Sequence, residues 1–174
     1  MIILLKFINT NKNKNILDNS IIFAFEIQSN QNKKLEIMSS KRLLLGTLAG
    51  FFGYFAAGGL LYTVVFKELL ASTNPGMTSV QTEPNMVALV LGNLASAFLL
   101  AYIFEKWAGI RNPVTGAVSG ALIGALIAFG YDSMIHGTTN LMTWQGVLVD
   151  VVVFAICSAI AGVLTAFGLG YKRV

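Results

Sequence analysis

The sequence predicts an all-α fold, namely an integral membrane four-helix bundle with both termini in the cytoplasm. Three observations predict it: four long apolar stretches, very few charged residues, and basic residues placed beside the ends of those stretches. Of the 174 residues, 55% are hydrophobic and 11% are charged, whereas soluble domains carry about 25% charged residues. Because a water-soluble surface cannot be built from this composition, we predict insertion into a lipid bilayer.

Four stretches have the length that a membrane span requires. A bilayer core of about 30 Å takes about 20 helical residues at about 1.5 Å each. The longest connection, Lys67 to Asn85, contains two prolines and a glycine that favour turns and helix starts, and it is interpreted as a loop. The predicted spans cover residues 43–66, 86–104, 114–135 and 146–169.

The basic residues predict the orientation of these spans. Short connections rich in Lys and Arg are retained in the cytoplasm. One side of the membrane would carry a single basic residue, Lys67, and the other side would carry six. Those six are Lys41, Arg42, Lys106, Arg111, Lys172 and Arg173. This asymmetry predicts a multi-pass protein of the cell membrane with both termini inside.

The first 37 residues differ in composition from the rest. They contain neither Gly nor Pro, and all 17 glycines come later. Residues 1–37 are therefore interpreted as a mis-annotated extension with Met38 as the start of a membrane domain of residues 38–174, or as a disordered tail. A targeting segment is the other interpretation, although the apolar stretch Ile21 to Ile27 is too short to span. A cleaved signal peptide from Met38 to Gly59 is disfavoured because the apolar stretch continues to Phe66.

Small residues recur every four positions in each span, and such rows allow helix backbones to approach closely in lipid. The rows predict a compact bundle, and they would serve a contact between two copies of the chain equally well. Their members are Gly46 and Gly50; Ala88, Gly92 and Ser96; Gly116, Gly120 and Gly124; and Ser158, Gly162, Ala166 and Gly170.

Polar residues are rare inside the spans, and those present point to one layer near the outer face. Asp132 and His136 lie one helical turn apart near the end of the third span, Asp150 lies early in the fourth, and Asn93 lies somewhat deeper in the second. Because an ionisable group inside a bilayer is costly, these groups would converge on a candidate site that shares one proton or cation. The alternatives are headgroup water around Asp132 and His136, a helix cap by Asp150, and an interhelical hydrogen bond by Asn93.

The fourth span also carries a stripe of small or polar side chains that is predicted to face the bundle interior. Its members are Asp150, Cys157, Ala161 and Gly168. Cys157 is interpreted as a packing residue, since a thiol in apolar surroundings is inert.

The residue content argues against several function classes. One Cys and one His provide neither a disulfide nor a metal-ligand set, and no nucleophile is spaced with a base as an enzyme would need. The basic residues form no patch with interleaved aromatics, so no nucleic acid partner is predicted. No cofactor and no catalytic residue are predicted.

The segment Gly59-Leu60-Leu61-Tyr62-Thr63-Val64-Val65-Phe66-Lys67 resembles the end of the first helix in a family of small bacterial membrane proteins, the domain of unknown function 1761. Leu61 stands where that family has an aromatic residue. The four-span layout, the glycine-rich third helix and the acidic Asp150 are also similar. The resemblance implies a four-helix membrane fold over about Met38 to Lys172 and implies no activity, because the family has none established.

Two functions remain as hypotheses. The first is a non-catalytic helical bundle in the lipid bilayer that self-associates as a homo-oligomer or binds a membrane-protein partner, which needs only the glycine rows. The second is a small transporter, channel or proton-coupled permeation component that uses the outer polar layer.

Overall fold

The computed structural model describes residues 28, 29, 33, 39–80 and 83–171. Met38, Lys172 and Arg173 lie outside the described residues, as does nearly all of the predicted 1–37 extension. Contacts divide the chain into the units Met1–Ser40 and Lys41–Val174. The membrane-length helices lie in the second unit, except that the first of them begins at Ser39.

The described part of the chain is helical and contains no strand. Four of its helices are long and apolar enough to cross a membrane, with 27, 23, 26 and 27 residues. At about 1.5 Å per residue, each is longer than a bilayer core of about 30 Å. We name them α1 (Ser39–Val65), α4 (Met86–Ala108), α5 (Pro113–Thr138) and α6 (Trp144–Gly170). Each contains most or all of one predicted span, so the predicted number and placement of apolar helices are confirmed.

The connection between α1 and α4 is more ordered than predicted. Instead of a loop, it forms two short helices, α2 (Lys67–Thr73) and α3 (Pro75–Val80). The prolines and glycine were correctly interpreted as breaks, since Asn74 lies between the two helices and Pro75 begins the second. The sequence did not predict that the residues between the breaks are helical.

Side-chain caps fix where the later long helices begin. Asn85 Oδ1 accepts hydrogen bonds from the backbone N–H groups of Val87 and Ala88. Asn112 Oδ1 does the same at the start of α5, where Pro113 occupies the first turn, and Thr143 Oγ1 accepts from Gly146 N. Each cap satisfies amide groups that have no partner within the helix.

The α5–α6 interface depends on the predicted glycine row. A Cβ at Gly116 would lie 2.5 Å from the Gly162 carbonyl oxygen and 2.6 Å from Ala166 Cβ. At Gly120 it would overlap the Ser158 carbonyl oxygen, and at Gly124 it would overlap the Ser158 side chain. The two backbones therefore touch at positions that only glycine permits.

Helix α1 packs on another side of α6 through its own small residues. A Cβ at Gly46 would lie 2.7 Å from Leu169, and a Cβ at Gly50 would overlap Thr165 Oγ1. Three of the four predicted rows thus act within the bundle, with α6 between α1 and α5.

The row on α4 does not act in this way. Apart from the residues next to it in its own helix, no described atom lies within 4 Å of a Cβ built on Gly92. Ala88 is also exposed. Helix α4 contributes to the core further along, through Ala97, Leu100 and Phe104. For Gly92 the prediction of close packing within the bundle is therefore wrong, because α4 turns a different face inward.

Two helix ends contain π-helical turns, Leu61–Val65 in α1 and Ile103–Ala108 in α4. Such turns insert a residue into the helical register and are frequent at functional sites. The first of them holds a residue of the candidate site.

Candidate functional site

Two acidic residues from neighbouring helices meet at one end of the bundle. Asp132 on α5 has 5% of its surface exposed, and Asp150 on α6 is partly buried. Their carboxyl groups are close enough to interact electrostatically. Because two carboxylates at this distance repel, the pair is suited to hold a proton or a cation between its oxygens.

One oxygen of this pair is buried without a hydrogen-bond partner in the described part of the chain. Among the described residues, Asp132 Oδ2 has no hydrogen-bond partner although it is buried, and neither has the hydroxyl of the adjacent Ser133. A buried polar atom without a partner is rare and calls for an explanation such as a bound water or ion. The alternative interpretation of Asp150 as a helix cap is wrong, since Thr143 caps α6 and Asp150 lies well inside that helix.

Tyr62 supplies a third polar group to the site. Its phenol is close enough to Asp150 to interact with it electrostatically, and it belongs to the π-helical turn at the end of α1. This tyrosine was not assigned to the polar layer from the sequence. Because the π-helical turn changes the helical register, spacing along the sequence does not place this side chain toward α6.

His136 does not join the carboxyl pair, although it was predicted to. Its Nδ1 lies 2.8 Å from the Met142 carbonyl oxygen, and its ring centroid lies 4.6 Å from that of Trp144. The position one turn beyond Asp132 is correct, but a backbone carbonyl of the α5–α6 connection takes the ring nitrogen. His136 therefore stabilises that connection.

Asn93 is also separate from the site. Its side-chain amide donates a 2.8 Å hydrogen bond to the Leu89 carbonyl oxygen in its own helix. This contact corrects the predicted place of Asn93 in the polar layer, and it also replaces the alternative, an interhelical hydrogen bond. A carbonyl four residues back is always within reach of such a side chain, so the local bond forms first.

A second polar level lies deeper in the α1–α6 interface. The Tyr54 hydroxyl donates a 3.1 Å hydrogen bond to Ser158 Oγ, and Cys157 beside it is 1% exposed. Further along α6, Thr165 is fully buried and its Oγ1 has no partner in the described chain. The predicted inward stripe of α6 is thus buried at Cys157, Ala161 and Gly168.

The short helices α2 and α3 dock beside the carboxyl pair through Asn74, a residue that the sequence did not single out. Asn74 is 4% exposed, and its Oδ1 accepts a 3.4 Å hydrogen bond from Thr143 N. Thr143 Oγ1 donates a 2.6 Å bond to the Thr73 carbonyl oxygen. The Asn74 amide fills the place of a Cβ on Gly146, which lies one helical turn before Asp150.

A different arrangement occupies the opposite end of the bundle. Arg111 forms a 2.9 Å ion pair with Glu105, whose side chain is 4% exposed. The connection from Ala108 to Pro113 lines a shallow cavity there together with Thr115 and Gly170. One of the basic residues used to predict orientation is thus neutralised by an acidic partner.

The described residues contain no group of three or more His, Cys, Asp or Glu side chains that could hold a metal ion. The carboxyl pair and the Tyr62 phenol offer oxygen atoms alone. Comparison with protein-family models found no matching family, and no curated protein and no solved structure matched the chain.

Proposed function

We propose that this protein is a multi-pass membrane protein that moves protons, with Asp132 and Asp150 as the carrier site. The observation that carries the proposal is the pairing of the buried Asp132 with the partly buried Asp150, in which Asp132 Oδ2 has no hydrogen-bond partner among the described residues. A bundle with a purely structural role would gain nothing from two neighbouring acidic groups within apolar helices, because each is costly to insert. A proton that binds to the pair neutralises one carboxylate and so lowers this cost of insertion.

Further polar groups along α6 support this function. From Asp150 to Ser158 is about 12 Å of helix, and from Ser158 to Thr165 is about 10 Å more, at about 1.5 Å per residue. To cross each of these intervals a proton would need bridging water molecules. The groups thus extend along most of a bilayer core of about 30 Å.

The carrier site is tested by proton flux into vesicles that contain the purified full-length chain. A membrane potential is imposed, and the internal pH is followed with a dye. We expect wild-type flux well above that of empty vesicles, and a loss of at least tenfold in Asp132→Asn and in Asp150→Asn. Glu83→Gln, which makes the same chemical change in an exposed connection, is the matched control and should conduct as the wild type does.

Two results would reject the carrier role: wild-type flux equal to that of empty vesicles, or unchanged flux in both Asp→Asn variants. Flux that follows a sodium or potassium gradient at constant pH would show that the transported ion is a monovalent cation and not a proton. Size-exclusion chromatography of each variant verifies that assembly is intact.

A second candidate function is self-association in the bilayer through α4. It is favoured by the open row at Ala88 and Gly92, which allows a close approach by a helix of another copy or of a membrane partner. Gly92→Leu should abolish crosslinking between copies, whereas Gly130→Leu, at another open glycine, should leave it unchanged. Equal crosslinking in the two variants would exclude this face as the contact.

The orientation and the family remain part of the proposal. We place both termini in the cytoplasm and the α2–α3 end outside, as the basic residues favour. We also propose membership of the family catalogued as domain of unknown function 1761, on the resemblance at Gly59 to Lys67. The protein is proposed to be neither an enzyme nor a cofactor-binding protein.

A further inference from the structure

We propose that the segment α2–α3, Lys67–Val80, is a gate over the carboxyl pair and that Asn74 is its latch. This inference rests on the proposed proton carrier, and it assigns the control of access to that site. When Asn74 is docked, the gate covers the approach to Asp150 from its end of the bundle. When it undocks, that approach opens.

The latch is a specific contact. The Asn74 amide occupies the space beside Gly146 that a side chain would fill, and Thr143 N donates to Asn74 Oδ1 at 3.4 Å. Two further bonds join the segment to the α5–α6 connection: Thr143 Oγ1 donates to the Thr73 carbonyl oxygen at 2.6 Å, and Met77 N donates to the Leu141 carbonyl oxygen at 3.1 Å.

The gate is connected to the candidate site in two places, through α6 and through the end of α1. Gly146 lies four residues, about 6 Å along the helix, before Asp150 on α6. On the other side, α2 starts two residues after the π-helical turn that holds Tyr62, and Phe66 N donates to the Leu61 carbonyl oxygen at 2.8 Å to close that turn. A displacement of α2 would therefore also shift the turn that holds Tyr62.

The segment is held weakly enough to move. Helices α2 and α3 have seven and six residues and bury none of them, and helices of that length are not stable without tertiary contacts. Asn74, between them, is the buried residue of the segment. The docked position thus depends on a few hydrogen bonds and on the fit of one amide against Gly146, as expected of an element that opens at low cost.

A reversible crosslink tests the gate. In a Cys157→Ser background, Asn74→Cys and Gly146→Cys place two thiols at the latch, where a disulfide would lock the gate. We expect oxidation to lower proton flux at least fivefold and a reducing agent to restore it. The Cys157→Ser parent, treated identically, should show no change. Equal flux in the oxidised and reduced double variant, with the crosslink verified by mass, would overturn the proposal.

A labelling experiment judges the gate without measuring flux. In the same background, Asp150→Cys places a thiol at the site. The rate at which a charged thiol reagent, supplied on both sides of the membrane, labels this thiol measures access to the site. Adding Asn74→Ala should raise the labelling rate at least fivefold, whereas Ser72→Ala, which removes an exposed hydroxyl bonded within α2, should not. Equal rates in the two variants would reject the latch, and absent wild-type flux would reject the carrier while leaving this result interpretable.

Discussion

The hydroxyl of Tyr54 donates a 3.1 Å hydrogen bond to Ser158 Oγ across the buried interface of α1 and α6. The Tyr54 ring also lies against Phe154, with 6.0 Å between ring centroids. One residue thus joins the two helices by a directional bond and by apolar contact. Several consequences of such buried contacts can be measured.

Tyr54→Phe should lower the free energy of unfolding by about 1 kcal/mol, because it deletes the hydrogen bond and keeps the ring. Reversible unfolding in mixed micelles provides the measurement. Tyr131→Phe is the matched control, since Tyr131 is 66% exposed. A Tyr54→Phe protein as stable as that control would show that the bond contributes nothing.

Gly120→Leu should prevent α5 and α6 from approaching, because a side chain there would meet the Ser158 backbone. We expect a loss of stability of about 3 kcal/mol or more, the range for a strongly overpacked core position. Gly130→Leu, where the space is open, should fold as the wild type does. Both substitutions change helix propensity equally, because each replaces Gly by Leu. A difference between the melting temperatures of the two variants therefore reports packing alone.

Thr165→Val should leave stability unchanged or raise it by about 1 kcal/mol, since it removes a buried hydroxyl without a partner and keeps the shape. If protons pass this level, the same variant should conduct less than the wild type. The exposed Thr115→Val serves as control in both assays. A destabilised Thr165→Val protein would mean that the hydroxyl has a partner.

Arg111→Ala should destabilise the protein more than the double variant Arg111→Ala with Glu105→Gln does. Removing the arginine leaves Glu105, with 4% of its side chain exposed, without its ion partner, and a buried unpaired charge is costly. Because Arg111 is 31% exposed, we expect a difference of about 1 kcal/mol, below the range for fully buried pairs. Equal stability of the two variants would contradict this assignment.

The carboxyl pair illustrates what the sequence could and could not predict about the site. Asp132 and Asp150 were predicted to converge because insertion of an acidic group is costly enough to require a partner. His136 was placed correctly along α5, but the Met142 carbonyl oxygen binds it instead. A local acceptor in a connection of unknown conformation cannot be anticipated from helical periodicity.

Tyr62 and Asn74 were missed for a related reason. The π-helical turn at Leu61–Val65 changes the register on which any prediction of facing residues depends. Asn74 was interpreted as part of a turn, and it does lie between two helices. Its docking, however, depends on the space beside Gly146, which lies 72 positions later. Nothing near Asn74 in the sequence indicates that space.

By itself the sequence determined the four apolar helices, their approximate limits and the glycine rows. These follow from local causes: backbone groups in an apolar medium must bond within their own helix, and hydrophobic length and capping residues set the ends. Only the tertiary structure decided which rows pack inside the bundle, that α4 leaves Gly92 open, and which polar groups meet Asp150. Those outcomes depend on the rotation and register of each helix against α6, which arise from side-chain packing among residues far apart in the chain.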